Sequence, residues 1–413
     1  MAATLTKVDI NGVEVPVIFE KDNRLPLASV QFIFKDSGNL SSNKAALVTL
    51  SAALLNEGSK SKGAIEFAKE LENRAISLSA HTGRETFVFE LESLKEQFAF
   101  GVDKLTELIK DPNYSDETFN KIVNKRLAKL VSKKDDFDYI ASNGLRAILF
   151  KETPLALPSL GDQESVKSLK LEDIKEFINS HILLNNLIVV AGGDFSKDDI
   201  ESFVKKFASV LKVGSIKPIA KIKASDKMVK KEHFDKTEQA YIYFGAPYNM
   251  DISDKNRVIG KVASFILGSS GFGSRLMEEV RVKRGLAYSA YSRFVVNKTN
   301  SYFSGYLQTK LENQEEAIKV VKDVVENFSK SGATKEELES AKKFFLGYEP
   351  LSVETLSQRV YKAFNEYYSG AGVGFRKTEL KIIESLTLDE LNNFIKEHNE
   401  ITKMSFFIVT NKK

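Results

Sequence analysis

The chain carries the same helical pattern twice. Phe98, Val102, Leu105 and Ile109 follow the spacing of a buried helical stripe, and Ala317, Val321, Val324 and Phe328 repeat it roughly 220 positions later. The helix starts that follow also match: Ser115 stands ahead of Asp116 and Glu117, and Thr334 ahead of Glu336 and Glu337, a capping hydroxyl and then acid in both places. Further on, Ser168, Leu169, Leu171, Ile174, Phe177 and Ile178 are answered by Ser385, Leu386, Leu388, Leu391, Phe394 and Ile395. A strand pattern follows each, at 187–191 and 404–409. A repeat of this length is too long for a solenoid unit and dictates two related domains. We place them at 1–213 and 232–413. The stretch between, 214–231, carries Lys217, Pro218, Lys221, Lys223, Lys227, Lys230 and Lys231 without apolar periodicity and reads as a solvated linker.

Within each copy the strand and helix patterns are mixed rather than alternating, and hairpin-like pairs at 9–20 and 28–34 open the first. The prediction is an α+β fold, each domain a mainly antiparallel sheet packed with helices. The 60 Lys and Arg against 56 Asp and Glu leave a net charge of +4, which makes no electrostatic case for nucleic acid or a membrane as partner. The densest basic run, Lys125, Arg126, Lys129, Lys133 and Lys134, reads as a solvated helix face. With no cysteine there are no disulfides or thiolate metal sites, which fits a reducing compartment. Positions 1–9 show no basic region ahead of an apolar run, and no stretch of about 18 apolar residues occurs, so we expect a cytoplasmic protein.

The segment 273–292 says most about chemistry. Ser274 can cap a helix, Leu276 and Val280 lie one turn apart, and Gly285 is the expected left-handed residue past its end. A strand period follows, with Leu286, Tyr288, Ala290 and Ser292 alternating against Ala287, Ser289, Tyr291 and Arg293. Arg281 therefore falls near Tyr288. The bland account is that Arg281 and Arg284 interact with the helix dipole and that Tyr288 is a strand aromatic.

This segment resembles the second-half signature of the pitrilysin/insulinase family of zinc peptidases, which includes the mitochondrial processing peptidase, and the likeness extends over nearly the whole chain. The resemblance implies two similar halves closing like a clam on a peptide. It also implies an Arg and a Tyr seven residues apart that reach the zinc site of the first half, here Arg281 and Tyr288. An active member carries His-x-x-Glu-His, two imidazoles one helical turn apart with the general base between them, and a distal glutamate. The matching helix here is 44–58, where Thr49 and Ala53 stand in the histidine positions and Ala52 in that of the base. No carboxylate occurs between Glu117 and Asp135, and the distal position falls at Ala128, Lys129 or Leu130. The four histidines, His81, His181, His233 and His398, are too scattered for a substitute site. We therefore expect no metal in this chain and zinc in a separate paralogous subunit, with a peptide as the shared substrate. The alternative is a structural or peptide-binding protein with no role in hydrolysis.

Two further stretches bear on substrate. Gly268, Gly271 and Gly273 have the outline of a phosphate loop, but Ser274-Arg275 replaces the required Lys-Ser/Thr, and a connection between two helices is the plain reading. By resemblance Gly271 and Gly273 belong to a peptide-binding loop. Ser79, Ala80 and His81 lead into the alternating strand Phe87, Phe89, Leu91, read here as an edge that can pair with an extended peptide.

Overall fold

The computed structural model describes residues 3–411. Its first half contains β1 (Thr4–Ile10), β2 (Val13–Lys21), β3 (Leu27–Lys35), α1 (Leu47–Leu55), α2 (Gly63–Glu72), β4 (Ser77–Thr82), β5 (Thr86–Leu94), α3 (Lys95–Lys110), α4 (Asp116–Ser132), α5 (Phe137–Leu149), α6 (Gln163–Ser168), α7 (Leu171–His181), β6 (Leu187–Gly193) and α8 (Lys197–Ala208). The second runs through β7 (Ile222–Lys223), β8 (Lys230–Phe234), β9 (Gln239–Pro247), α9 (Arg257–Ser264), α10 (Arg275–Met277), β10 (Ala287–Val296), β11 (Asn300–Lys310), α11 (Gln314–Ser331), α12 (Lys335–Tyr348), α13 (Leu356–Tyr368), α14 (Arg376–Ser385), α15 (Leu388–Glu397) and β12 (Ser405–Thr410). The repeat read in the sequence is α3 and α11, α4 and α12, α7 and α15. Ser115 and Thr334 cap α4 and α12, each accepting from a backbone N–H at 3.2 Å.

Two mainly antiparallel sheets result, in the orders β1-β2-β6-β3-β5-β4 and β10-β11-β9-β12-β8, with β7 beside β11. In both, the strand after α7 or α15 is internal, β6 between β2 and β3 and β12 between β9 and β8. Every described residue of β6 and β12 is buried, so both faces of each strand must be covered. One face packs on the half's own helices, with Phe32, Phe34, Phe87, Phe89 and Phe207 filling the first core and Phe244, Phe303, Phe328 and Phe406 in the second.

The other face is covered by the opposite half. Helix α5 lays Ala141, Leu145 and Leu149 on Phe407 and Val409 of the second sheet, and α13 lays Ala363 with Val360 and Phe364 on Ile18, Ile33 and Ile188 of the first. The two helices are repeat-related, so the exchange is reciprocal. Arg359 of α13 fixes one side of it by ion pairs to Glu20 and Asp22 of the first sheet's rim. Glu85, 8 % exposed, joins the halves again by accepting from the N–H and hydroxyl of Thr299.

No residue of 214–231 is fully buried, but Ile219, Ile222 and Ala224 pack partly on the α5 cluster, Ile222 and Lys223 pair with β11, and β8 begins at Lys230. The boundaries 1–213, 214–231 and 232–413 remain our proposed division. No helix among the described residues is long and apolar enough to cross a membrane.

Candidate functional site

Helix α1 forms because Leu47, Val48, Leu50, Leu54 and Leu55 drive it into the first core. It begins later than the predicted 44–58, after Ala46 in the left-handed region at φ 68°. Thr49 lies in its first turn. The Thr49 hydroxyl accepts from Arg126 Nη1 at 2.8 Å and lies 2.9 Å from the Ser159 carbonyl, to which it can donate. Arg126 Nη1 also donates to the Leu160 carbonyl at 3.2 Å.

This corrects the solvated reading of the basic run. Lys125, Lys129 and Lys134 are exposed and Lys133 half-buried, but Arg126 is only 9 % exposed, and burial works against its charged form. The helix expected to bring a distal carboxylate brings a guanidinium instead. Thr49, Ala52 and Ala53 supply no ligand set, and a fixed cation at Thr49 opposes a dication, so these residues do not fit zinc. Among the described residues no group of three or more His, Asp or Glu side chains could hold a metal ion.

The edge of the first sheet is β4, not the strand through Phe87, Phe89 and Leu91. Those three are fully buried in β5, between β3 and β4. Ser79, Ala80 and His81 do lie on the edge, with His81 exposed and Ala80 buried. The Asn56 side chain, just past α1, donates to the Ala80 carbonyl and accepts from the Ala80 N–H, both at 2.8 Å. An amide thus stands where an added strand would pair. Sequence reasoning did not single out Asn56, which falls within the matched helix range 44–58.

In the second half, Ser274 caps α10 by accepting from the Met277 N–H at 3.3 Å, and Gly285 ends the following wide turn at φ 62°. Gly271 and Gly273, between α9 and α10, take φ of 71° and 92°, where a side chain is strained. This geometry swings Phe272 outward. The Arg281 guanidinium lies 4.7 Å from the Phe272 ring centre and 4.3 Å from that of Tyr288, held between two aromatic faces.

Both arginines stand at the helix end, as the bland account has it, but they differ in their partners. Arg284 donates to the Glu279 carbonyl at 2.9 Å and pairs with its carboxylate. Hydrogen bonds from Lys283 and Arg284 keep that carboxyl below its usual range. The Arg281 side chain makes no hydrogen bond or ion pair among the described residues, so its donors are free. Nor is Tyr288 a packed strand aromatic, being 82 % exposed. The predicted alternation breaks because β10 slips between Ala287, opposite Thr309, and Ala290, opposite Leu307. That bulge buries Ala287, Ala290 and Ser292 and turns Tyr288 out. The Gly271–Gly273 loop, Arg281 and Tyr288 therefore form one patch, with Phe272 as the member the sequence did not reveal. No hydrogen bond or ion pair among the described residues joins it to Thr49, Ala53 or Ser79, Ala80 and His81.

Family models match both halves: Insulinase (Peptidase family M16) over residues 50–163 and Peptidase M16 inactive domain over 168–345. A protein of Helicobacter pylori named as a non-peptidase homolog, YmxG, is 42 % identical over 100 % of this chain and 95 % of its own. The crystal structure of a peptidase M16 inactive domain from Pseudomonas fluorescens superposes with a TM-score of 0.90 at 23 % identity, covering 99 % of this chain and 98 % of that one. A protease from Helicobacter pylori superposes at 0.84 with 18 % identity over 99 % of this chain and 100 % of its own. Matched by family models in both halves and by a relative along its full length, the chain belongs to peptidase family M16, the insulinase family, as a member without the His-x-x-Glu-His motif.

Proposed function

We propose that the chain is the non-zinc-binding subunit of an M16 metallopeptidase, presenting Arg281 and Tyr288 to a peptide held at the zinc of a paralogous partner. The observation that carries this reading is the state of Arg281. Its guanidinium is held between Phe272 and Tyr288, beside a solvent-facing phenol, with every donor unspent. Such donors, aimed at a carbonyl polarised by zinc, would orient the peptide and stabilise the developing oxyanion, an effect worth roughly 3 kcal/mol per donor. The first half has a buried cation in place of metal chemistry, so the zinc must come from elsewhere. Helicobacter pylori supports such a division, since a non-peptidase homolog similar to this chain and a protease of the same fold both come from it. The lack of cysteine is consistent with a cytoplasmic complex.

The test is reconstitution with a zinc-bearing paralogue. Tyr288→Phe keeps the ring and removes the hydroxyl, and Arg281→Lys keeps the charge and loses the planar fork. Each should lower turnover roughly ten-fold or more at unchanged thermal stability and assembly. Unchanged turnover would leave the rival reading, a structural or peptide-binding protein with no role in hydrolysis. Asn56 favours the structural form of that rival: while it occupies Ala80, the first sheet's edge cannot add a peptide strand there.

A further inference from the structure

A cavity of about 230 Å³ lies where the start of α1, the β4–β5 turn, α5 and residues 154–159 meet. Arg84, Arg146, Lys44, Asn39, Ser42 and Ser159 face it, and no Asp or Glu lines it. The Lys44 charge is already matched by Asp173 at 2.6 Å. The arginines are not matched. Arg84 Nη1 donates to the neutral Tyr302 hydroxyl at 3.1 Å, Arg146 Nη2 donates to the Asn143 side-chain oxygen, and Arg146 Nε is buried with no partner. Glu85, the carboxylate next to Arg84 in sequence, is committed to Thr299. Burial first, and then the Arg84 charge, disfavour the cationic form of Arg146.

Two half-buried guanidinium groups at one cavity, one of them with a buried Nε that has no partner, have only neutral acceptors, whereas charges drawn out of water are as a rule paired. Planar forks of this kind match the oxygens of a carboxylate or a phosphate, and the volume suits a small group better than a drug-sized ligand. We propose that this cavity is an oxyanion site, in which Arg84 and Arg146 hold a carboxylate or a phosphate group. Thr82 and Gly83, at the end of β4 and in the β4–β5 turn, also line it, so the anion can arrive free in solution or as the terminal carboxylate of a peptide entering past that turn. The site needs no partner subunit and does not rest on the role of Arg281 and Tyr288.

The experiment uses the whole chain alone, titrated with inorganic phosphate at constant ionic strength and followed by calorimetry and melting temperature. Phosphate should bind and raise the melting temperature. Arg84→Gln or Arg146→Gln should weaken binding roughly ten-fold or more, whereas Arg74→Gln, exposed in the turn after α2, should not. If a Gln variant fails to fold, Arg146→Lys keeps the charge, loses the fork and should still bind several-fold more weakly. A peptide competing with phosphate as its free acid but not as its amide makes the peptide terminus the source. Phosphate binding without such competition makes it a free anion. Phosphate held equally by wild type and both Gln variants would overturn the proposal, as would failure of both phosphate and the free-acid peptide to bind.

Discussion

The two halves of this molecule share one series of strands and helices in the same order, apart from β1 and α8 in the first and β7 in the second, yet they use arginine in opposite ways. In the first, Arg126 turns inward from α4 and bonds to Thr49, closing the place where the family binds metal. In the second, Arg281 is held on the surface between two rings with its donors unspent. A duplicated fold thus constrains the core and leaves each site free to change, because the buried stripes of α3 and α11 carry the packing while the chemistry sits in first turns and loops.

The exchanged helices show the largest difference between the halves. Helix α13 is pinned by Arg359 to Glu20, which is 2 % exposed, whereas α5 sits on apolar contacts and on uncharged donors, the Tyr243 hydroxyl and Gln308 amide to Asp138 and the Ser225 N–H to the Leu149 carbonyl. Arg359→Met should strand a buried carboxylate and cost about 3–5 kcal/mol in denaturant unfolding. Asp138→Asn at the other helix should cost no more than about 1 kcal/mol. Equal losses would mean that the halves are seated alike.

The electrostatic contrast can be broken directly. Thr49→His, Ala52→Glu and Ala53→His together rebuild the motif, and with Arg126 retained the triple variant should bind zinc poorly. Adding Arg126→Glu removes the opposing charge and supplies an acid, which should tighten zinc binding by roughly 100-fold or more on electrostatic grounds. Equal zinc affinity in the two variants, measured by competition with a chelator, would show that Arg126 does not close the site. In the other half the sharper question is Phe272. Phe272→Leu removes one face of the clamp, and a cation–π contact at an exposed site is worth about 0.5–1 kcal/mol. In the reconstituted complex turnover should fall only about two- to five-fold, less than for Arg281→Lys. A loss as large as that of Arg281→Lys would make the ring, not the guanidinium, the working group.

What the sequence revealed was local. The stripes of α3 and α11, the caps at Ser115, Thr334 and Ser274, and the turn at Gly285 each depend on residues a few positions apart, and all stand in the structure. What it hid was set by partners far along the chain. Whether Phe87–Leu91 or Ser77–Thr82 is the sheet edge depends on strand order. The outward turn of Tyr288 depends on a register slip against β11, and the burial of Arg126 on Thr49 and Leu160. The exchange of α5 and α13 left only an indirect sign, the unbroken apolar runs of β6 and β12 that demand a second cover.

The smallest predicted effect separates the repeat-related helix ends. His181 closes α7, with its ring stacked on Phe177 at 4.3 Å, and His398 follows α15, with Nδ1 3.0 Å from Glu400. Burial lowers the His181 pKa from its ordinary 6.5, against the opposing pull of the Phe177 carbonyl. An unfolded chain therefore takes up this proton near pH 6.5, and the folded chain only further into acid. Unfolding gains protons in that window, so the contribution of His181 is complete above 6.5 and is lost as pH falls below it. At the other end, burial raises the Glu400 pKa, but His398 and the Asn249 N–H outweigh it and leave the group low. Stability from Glu400 is therefore present above the ordinary carboxylate range and is lost only as pH falls through the lowered value, well to the acid side of the His181 window. His181→Leu should flatten the dependence of unfolding free energy on pH just below 6.5, by less than about 1 kcal/mol for one partly buried imidazole. Glu400→Gln should leave that window unchanged and act at lower pH. If His181→Leu left the slope just below 6.5 as it was, the two helix ends would not differ in how they meet a proton.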